Sequence, residues 1–320
     1  MTTLIIVNNI AAKVHVAWPL IQNRLAEAGI DYDFYQTTAA EDATKRTRAA
    51  LLAGTTTVAV VGGDGTLSEA AEGFFEFDPD LRQLPRPINT QASLAILPAG
   101  TGDDFARGLY GRRMPLEDWI DTLIQHCKSG YTRFSLVDVL YGLCNGYQKP
   151  FICLNASTMG IGGETAGRVA SQGSFVRRFS GELRFAIAAL SALAVWRERR
   201  VQVTVDDKLM VDDQMNLAGV ANALYAGGGM ILSPDARADD GKLDVVTAAC
   251  LSRTGVVREL SRIHSGAHVN NPKVRIAQGE IVRVHTFSDE DAMPLEADGN
   301  VRGFTPVQFQ VMPRVLRFVY

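Results

Sequence analysis

Hydrophobic and polar positions follow one texture from Leu4 to about Cys127 and another beyond Val137. In the first stretch, short apolar runs alternate with segments whose apolar residues recur at helical spacing. Leu4–Asn8, Tyr32–Gln36, Thr57–Val61 and Leu94–Leu97 read as strands. Their runs are continuous rather than alternating, as strands buried on both faces require. Trp18–Ala28, Ala40–Leu52, Leu67–Phe75, a segment from about Asp104, and Leu116–Cys127 read as helices. Asp78–Gln91 carries Pro79, Pro85 and Pro87 and reads as a loop. Strand–helix alternation of this kind predicts a parallel sheet covered by helices.

Beyond Val137 the pattern shortens to alternating stretches such as VQVTVDD, KLDVVTAA and IVRVHTF, separated by Asp-Asp and Asp-Gly turn signals. One long helix, near Gly181–Arg197, is expected among them. An antiparallel β domain follows, a sandwich, with the boundary near Phe134–Asp138. The predicted fold class is α/β plus all-β: a parallel-sheet domain over residues 1–136 and a β-sandwich domain over 137–312.

Composition narrows the function classes. The 320 residues suit two domains, each with a core, and 47% hydrophobic with 21% charged residues is an ordinary globular balance. A net charge of −3 argues against nucleic acid as partner. Cys127, Cys144, Cys153 and Cys250 show no C-x-x-C spacing, so reduced thiols in a cytoplasmic protein are expected. The start MTTLIIVNNI lacks a basic leader, and the apolar stretch Phe185–Trp196 is too short to span a bilayer; no transmembrane segment is expected.

Candidate chemistry lies in two loops. VVGGDGTLSEA places Gly62, Gly63, Asp64, Gly65 and Thr66 between a buried strand and a helix. Glycines let backbone N–H groups approach a ligand, and a helix N-terminus favours an anion. Phosphate is the expected guest, with a plain turn as the alternative for this loop alone. The loop is neither G-x-x-x-x-G-K-[ST] nor G-x-G-x-x-G, because Ser68 takes the final glycine position counted from Gly63. One unit later LAILPAGTGDDFARGL repeats the arrangement with Gly100, Thr101, Gly102, Asp103 and Asp104. Two such loops at one sheet edge make the phosphate reading much stronger. Aspartates in both suggest a divalent cation as well.

GGDGT followed by LPAGTGDDFAR resembles the diacylglycerol kinase catalytic-domain family, in particular its bacterial lipid kinases, with sphingosine and ceramide kinases as relatives. FICLNASTMGIG, ANALYAGGGMILSPDARADDGKLDVV and LEADGNVRGFTPVQFQVMPRVLRF extend the resemblance over most of the chain. It implies ATP bound between the two domains, with the last strand, about 313–320, returning to the first. It implies a nucleotide site at Thr37, at Gly62, Gly63, Asp64, Gly65, Thr66, Leu67, Ser68 and Glu69, and at Thr101. Asp64 and Asp104 would hold Mg²⁺ or its waters, and loss of the Asp64 side chain should spare the fold. A second magnesium would rest on the Asp240 carboxylate and the carbonyls of Arg237 and Lys242; a turn aspartate before Gly241 is the alternative.

Three departures stand out. Asp103 occupies a position where the family has Asn. The first strand ends in Asn8-Asn9-Ile10-Ala11-Ala12 rather than the glycine-rich NPxxGxG. Asn300 replaces the glutamate of the Asp-Gly-Glu motif, assigned in the family as the catalytic base, and an amide cannot act as one. If the strand ran regularly, Glu296, Asp298 and Asn300 would share a face, making Glu296 and Asp298 substitute bases; a turn at Gly299 would spoil this, with Glu296 or Asp298 still able to reach the site. The expected activity is transfer of the ATP γ-phosphoryl group to diacylglycerol or a similar lipid alcohol. The alternatives are an NAD-kinase-type enzyme and a nucleotide- or lipid-binding protein with little catalysis. The expected partner is a lipid at the membrane surface, approached peripherally, with Arg177 and Arg178 as an anionic-membrane contact or a solvated helix face. A homodimer is compatible with the sequence. His264 and His268, at i,i+4 spacing, are a weak metal pair without a third ligand.

Overall fold

The computed structural model describes residues 2–81, 83–144, 150–172 and 181–320. The chain divides into two compact units, the first made of Met1–Val139, Ala238–Asp240 and Met312–Tyr320, the second of Leu140–Arg237 and Gly241–Val311.

The first unit begins β1 (Thr3–Asn8), α1 (Ala12–Glu27), β2 (Asp33–Thr37), α2 (Asp42–Leu52), β3 (Thr57–Gly62) and α3 (Asp64–Glu72). It continues with the two-residue strands β4 (Phe75–Glu76) and β5 (Arg86–Pro87), then β6 (Ser93–Pro98), α4 (Asp104–Tyr110) and α5 (Leu116–Lys128). Every residue of β3 is buried, which explains its unbroken apolar run. Helix α1 buries Val14, Ala17, Trp18, Ile21 and Leu25, a stripe at helical spacing. β1 pairs in parallel with β2 and β3, and β3 pairs in parallel with β6. Three sequence expectations change. α1 starts at Ala12 rather than Trp18. α3 starts at Asp64 rather than Leu67 and ends before Phe75, and the proline-bearing loop contains β5, which pairs with β4.

The second unit is antiparallel. Its elements are β7 (Ser135–Cys144, which starts in the first unit), β8 (Phe151–Cys153), β9 (Ala156–Gly160), α6 (Ile161–Ala170), α7 (Gly181–Val195), β10 (Arg199–Val205) and β11 (Lys208–Ala221). There follow β12 (Tyr225–Ala226), β13 (Met230–Ile231), β14 (Leu243–Ala249), α8 (Arg253–Arg262), β15 (Val274–Gly279), β16 (Ile281–Thr286), β17 (Pro294–Ala297), β18 (Asn300–Phe304) and β19 (Val307–Val319). β11 pairs with β9, β10 and β14, and β9 pairs with β17. The core includes Phe151, Met159, Trp196, Val203, Met215, Val245, Leu295 and Phe309. The sequence suggested one long helix here, yet α6 and α8 are also present. α8 is capped by the Ser252 hydroxyl, which accepts from the Gly255 N–H at 3.1 Å.

β19 serves both units in sequence. Its start pairs antiparallel with β16, and Arg317–Val319 pair in parallel with Ser93–Ala95 of β6. The first unit's sheet therefore runs β19–β6–β3–β1–β2, all parallel.

Candidate active site

The carboxyl ends of β2, β1, β3 and β6 bring most of the predicted nucleotide residues to one sheet edge. Asn8 lies opposite Thr37, and Gly62 opposite Pro98. Asn8 Nδ2 donates to Thr66 Oγ1 at 2.8 Å, tying the first strand's end to the start of α3. The Ala99 N–H donates to the Gly62 carbonyl at 2.9 Å. The two loops then touch backbone to backbone: a Cβ on Gly100 would stand 2.5 Å from Gly63 Cα. Only glycine permits that approach.

Asp64 fastens the loops together. Its Oδ2 accepts from the Asp104 N–H and its Oδ1 from the Phe105 N–H, both at 2.9 Å. Burial of this carboxylate and the nearby Asp104 carboxylate push its pKa up to about 7, against those two hydrogen bonds. Asp104 is buried. Asp103 is in the left-handed region with φ 52°, and its Oδ1 accepts from the Gly100 N–H at 2.8 Å. Asn and Asp both tolerate that backbone, which accounts for Asp at a position where Asn is usual. Leu67 and Ser68 are buried within α3, and the Leu67 N–H donates to the Gly63 carbonyl at 3.1 Å; Glu69 is half-buried and Thr101 exposed.

Two cations on these loops went unnoticed in the sequence. Lys13 Nζ donates to the Gly100 carbonyl at 2.8 Å, and Arg113 donates to the carbonyls of Thr101 at 2.6 Å and Gly102 at 2.9 Å. Lys13 sits at the start of α1, directly after the glycine-free loop. No local motif marks either residue.

In the second unit Glu296, Asp298 and Asn300 do not lie along one regular strand. Asp298 and Gly299 have φ 48° and 80° and form a two-residue hairpin turn between β17 and β18, with Ala297 paired to Asn300. The expectation of a shared face fails at this turn. Asp298 is turned inward: Oδ2 accepts from the Leu154 N–H at 2.8 Å, and Oδ1 from the N–H groups of Asn155 at 3.0 Å and Ala156 at 3.3 Å. Cys153 Sγ also donates to Oδ1 at 3.2 Å, and burial with that carboxylate holds the thiol well above its usual pKa. Asp298 thus pins the hairpin to the β8–β9 connection.

Glu296 is 8% exposed. Its Oε1 accepts from the Thr158 N–H and hydroxyl, and its Oε2 from the Gly299 N–H at 2.9 Å. Burial dominates these contacts and pushes its pKa up to about 7. Asn300 Nδ2 is buried without a hydrogen-bond partner.

The remaining candidates separate. Asp240 is exposed in the loop from Arg237 to Lys242, just before β14. His264 and His268 lie on different 3₁₀ turns with Gly266 (φ 69°) between them, not on one helical face. His268 is buried with Nε2 3.1 Å from the Leu232 carbonyl, and burial lowers its pKa. Among the described residues no three His, Cys, Asp or Glu side chains form a metal cluster. Arg177 and Arg178 lie outside the described residues.

Residues 2–137 match the family described as the diacylglycerol kinase catalytic domain, and residues 160–320 match the YegS C-terminal NAD kinase β-sandwich-like domain. A Bacillus subtilis diacylglycerol kinase is 26% identical over 96% of this chain and 91% of its own length. A Mycobacterium tuberculosis diacylglycerol kinase is 27% identical over 92% of this chain and 86% of its own. A crystal structure of a Bacillus anthracis diacylglycerol kinase has a TM-score of 0.67 at 21% identity, covering 100% of this chain and 96% of that one. That likeness shows a shared fold.

Proposed function

Because the chain belongs to the diacylglycerol kinase and YegS-like family of lipid kinases, we propose that it transfers the γ-phosphoryl group of ATP to a hydroxyl of diacylglycerol or a similar lipid alcohol. The observation that carries the proposal is the backbone contact between the Gly63 and Gly100 loops at the carboxyl ends of neighbouring parallel strands. Backbone N–H groups near the start of α3 and in the Gly100 loop hold phosphate oxygens, and Lys13 and Arg113 add positive charge. Asp64 keeps the two loops in register.

The paired Asp64 and Asp104 carboxylates fit a hard cation: their oxygens suit it, and positive charge relieves the repulsion that raises Asp64. Mg²⁺, when bound, neutralises phosphate charge as the phosphoryl group moves. Asp64 and Asp104 would hold the ion, and its charge would offset that of the phosphates. The loop holding Asp240 remains the proposed second cation position.

Asn300 cannot accept the hydroxyl proton, and Asp298 and Glu296 both already receive backbone N–H groups. Glu296 is the carboxylate suited to the task, because a pKa of about 7 leaves it partly ionised near neutrality. The description of the C-terminal family as NAD kinase-like favours a second reading, phosphorylation of NAD. A panel of lipids and NAD, each with labelled ATP and Mg²⁺, separates the two. Labelled lipid supports the proposal; labelled NAD with no labelled lipid overturns it. ATP binding without transfer to any acceptor favours a binding protein.

A further inference from the structure

Helix α7 is apolar on its buried face and on the face it turns outward. Ala188, Ala189, Ala192 and Leu193 are buried. On the same inner side, Arg168 of α6 donates to Ser191 Oγ at 3.5 Å. Near the helix start, Gln172 Nε2 donates to the Arg184 carbonyl at 2.7 Å. Facing away, Leu183, Ile187 and Leu190 are 46%, 40% and 59% exposed, and Ala194 and Val195 continue the exposed strip. The spacing of Leu183, Ile187, Leu190 and Ala194 keeps them on one side of the helix. A helix burying one apolar face ordinarily presents polar residues on the other.

No residue from Leu183 to Val195 is acidic, and from Glu182 to Arg200 the sequence holds four arginines against two glutamates. The 15-residue helix is about 22 Å long, too short to cross a bilayer. An apolar stripe with excess positive charge just past its C-terminal end, Arg197, Arg199 and Arg200 against Glu198, suits a helix lying in the plane of an anionic interface. Self-pairing of two copies along this stripe would bring like net charge together.

We propose that the outward face of α7 is a docking surface for an anionic lipid bilayer, with Leu183, Ile187 and Leu190 entering the acyl boundary and Arg197, exposed just past the helix end, meeting headgroups. The proposal rests on the lipid-kinase reading for its purpose, but its binding step does not require turnover.

The test uses the full chain and sedimentation with vesicles of phosphatidylcholine containing phosphatidylglycerol, and with phosphatidylcholine alone. Wild type is expected to bind the anionic vesicles more tightly and to release as salt rises. The double variant Ile187→Glu, Leu190→Glu should bind at least tenfold more weakly, while Leu209→Glu, at another exposed leucine of the same unit, should bind like wild type. Thermal melts check that all three proteins are folded. Undiminished vesicle binding by the folded double variant overturns the proposal. So does a wild-type dimer that fails to bind vesicles and that the double variant dissociates. A water-soluble short-chain diacylglycerol separates this from the kinase proposal. The double variant should phosphorylate it at the wild-type rate. If neither protein does so, yet vesicle binding still depends on α7, the kinase reading fails and the docking surface stands.

Discussion

The Glu296 carboxylate receives both hydrogen bonds that Thr158 offers it, 3.1 Å from the backbone nitrogen and 2.5 Å from the hydroxyl. The same carboxylate holds the turn that presents Asn300, through the Gly299 N–H. An acid that burial raises to about 7 is therefore fixed on the turn that leads into Asn300.

Glu296→Gln should lower kcat by about 10²–10⁴-fold on a lipid acceptor. In wild type, kcat/KM should rise with pH through about 7 as Glu296 loses its proton, and the variant should lack that limb. Adding Asn300→Glu to Glu296→Gln should recover at least about tenfold, since it puts a carboxylate at position 300. Full activity in Glu296→Gln would place the base elsewhere.

Glu296 also makes stability depend on pH in an unusual direction. Its folded pKa of about 7 exceeds the ordinary 4.5, so the folded state binds this proton more tightly than the unfolded state. The contribution is fully present below about pH 4.5 and is lost as pH rises to about 7. Asp64 contributes a loss of the same sign at its own pKa. Urea unfolding at pH 5 and pH 8 should give a smaller difference, favouring pH 5, in Glu296→Gln than in wild type. Equal differences would show that Glu296 is not protonated in the fold.

Asp64→Ala should cost both activity and stability. From sequence alone the fold was expected to survive intact, but the carboxylate satisfies the Asp104 and Phe105 N–H groups. Leaving buried donors unpaired costs about 1–3 kcal/mol each, offset in part by relief of repulsion from Asp104. Denaturant midpoints measured beside phosphoryl transfer check both effects. A variant as stable as wild type would show that the two N–H groups find water instead.

Gly100→Ala should weaken nucleotide binding at least about tenfold, the scale of 1.4 kcal/mol. Its Cβ would meet Gly63 Cα at 2.5 Å and Asp103 Oδ1 at 2.6 Å, and backbone cannot swing aside as a side chain can. Gly111→Ala, with no neighbour within 4 Å but φ 68°, is the comparison: it strains its own turn without parting the loops. Calorimetric titration with a non-hydrolysable ATP analogue distinguishes them.

The parallel-sheet unit was readable because its strands are buried on both faces and their apolar runs stand out locally. The two glycine loops were readable for a similar reason, since strand, loop and helix follow one another in the chain. α6 escaped notice because Gly162, Gly163 and Gly167 dilute its helical signal, and α8 because it is short and strongly charged. The Asp298-Gly299 pair is a recognisable hairpin signal, and of the regular strand and the turn that the sequence left open, the turn is what forms. Contacts between distant parts of the chain left no local trace. Lys13 on the Gly100 carbonyl and Asp298 on the Leu154 and Asn155 N–H groups belong to this class.

β6 has β3 on one side and the final residues of β19 on the other. A ribosome making this chain releases Ser93–Pro98 long before Arg317–Val319 exist, so the nascent first sheet carries an uncovered apolar edge throughout synthesis of the second unit. Such edges recruit other strands. A nonsense codon after Val311 would therefore do more than shorten the protein: it would leave that edge permanently open and make aggregation the expected fate of the product.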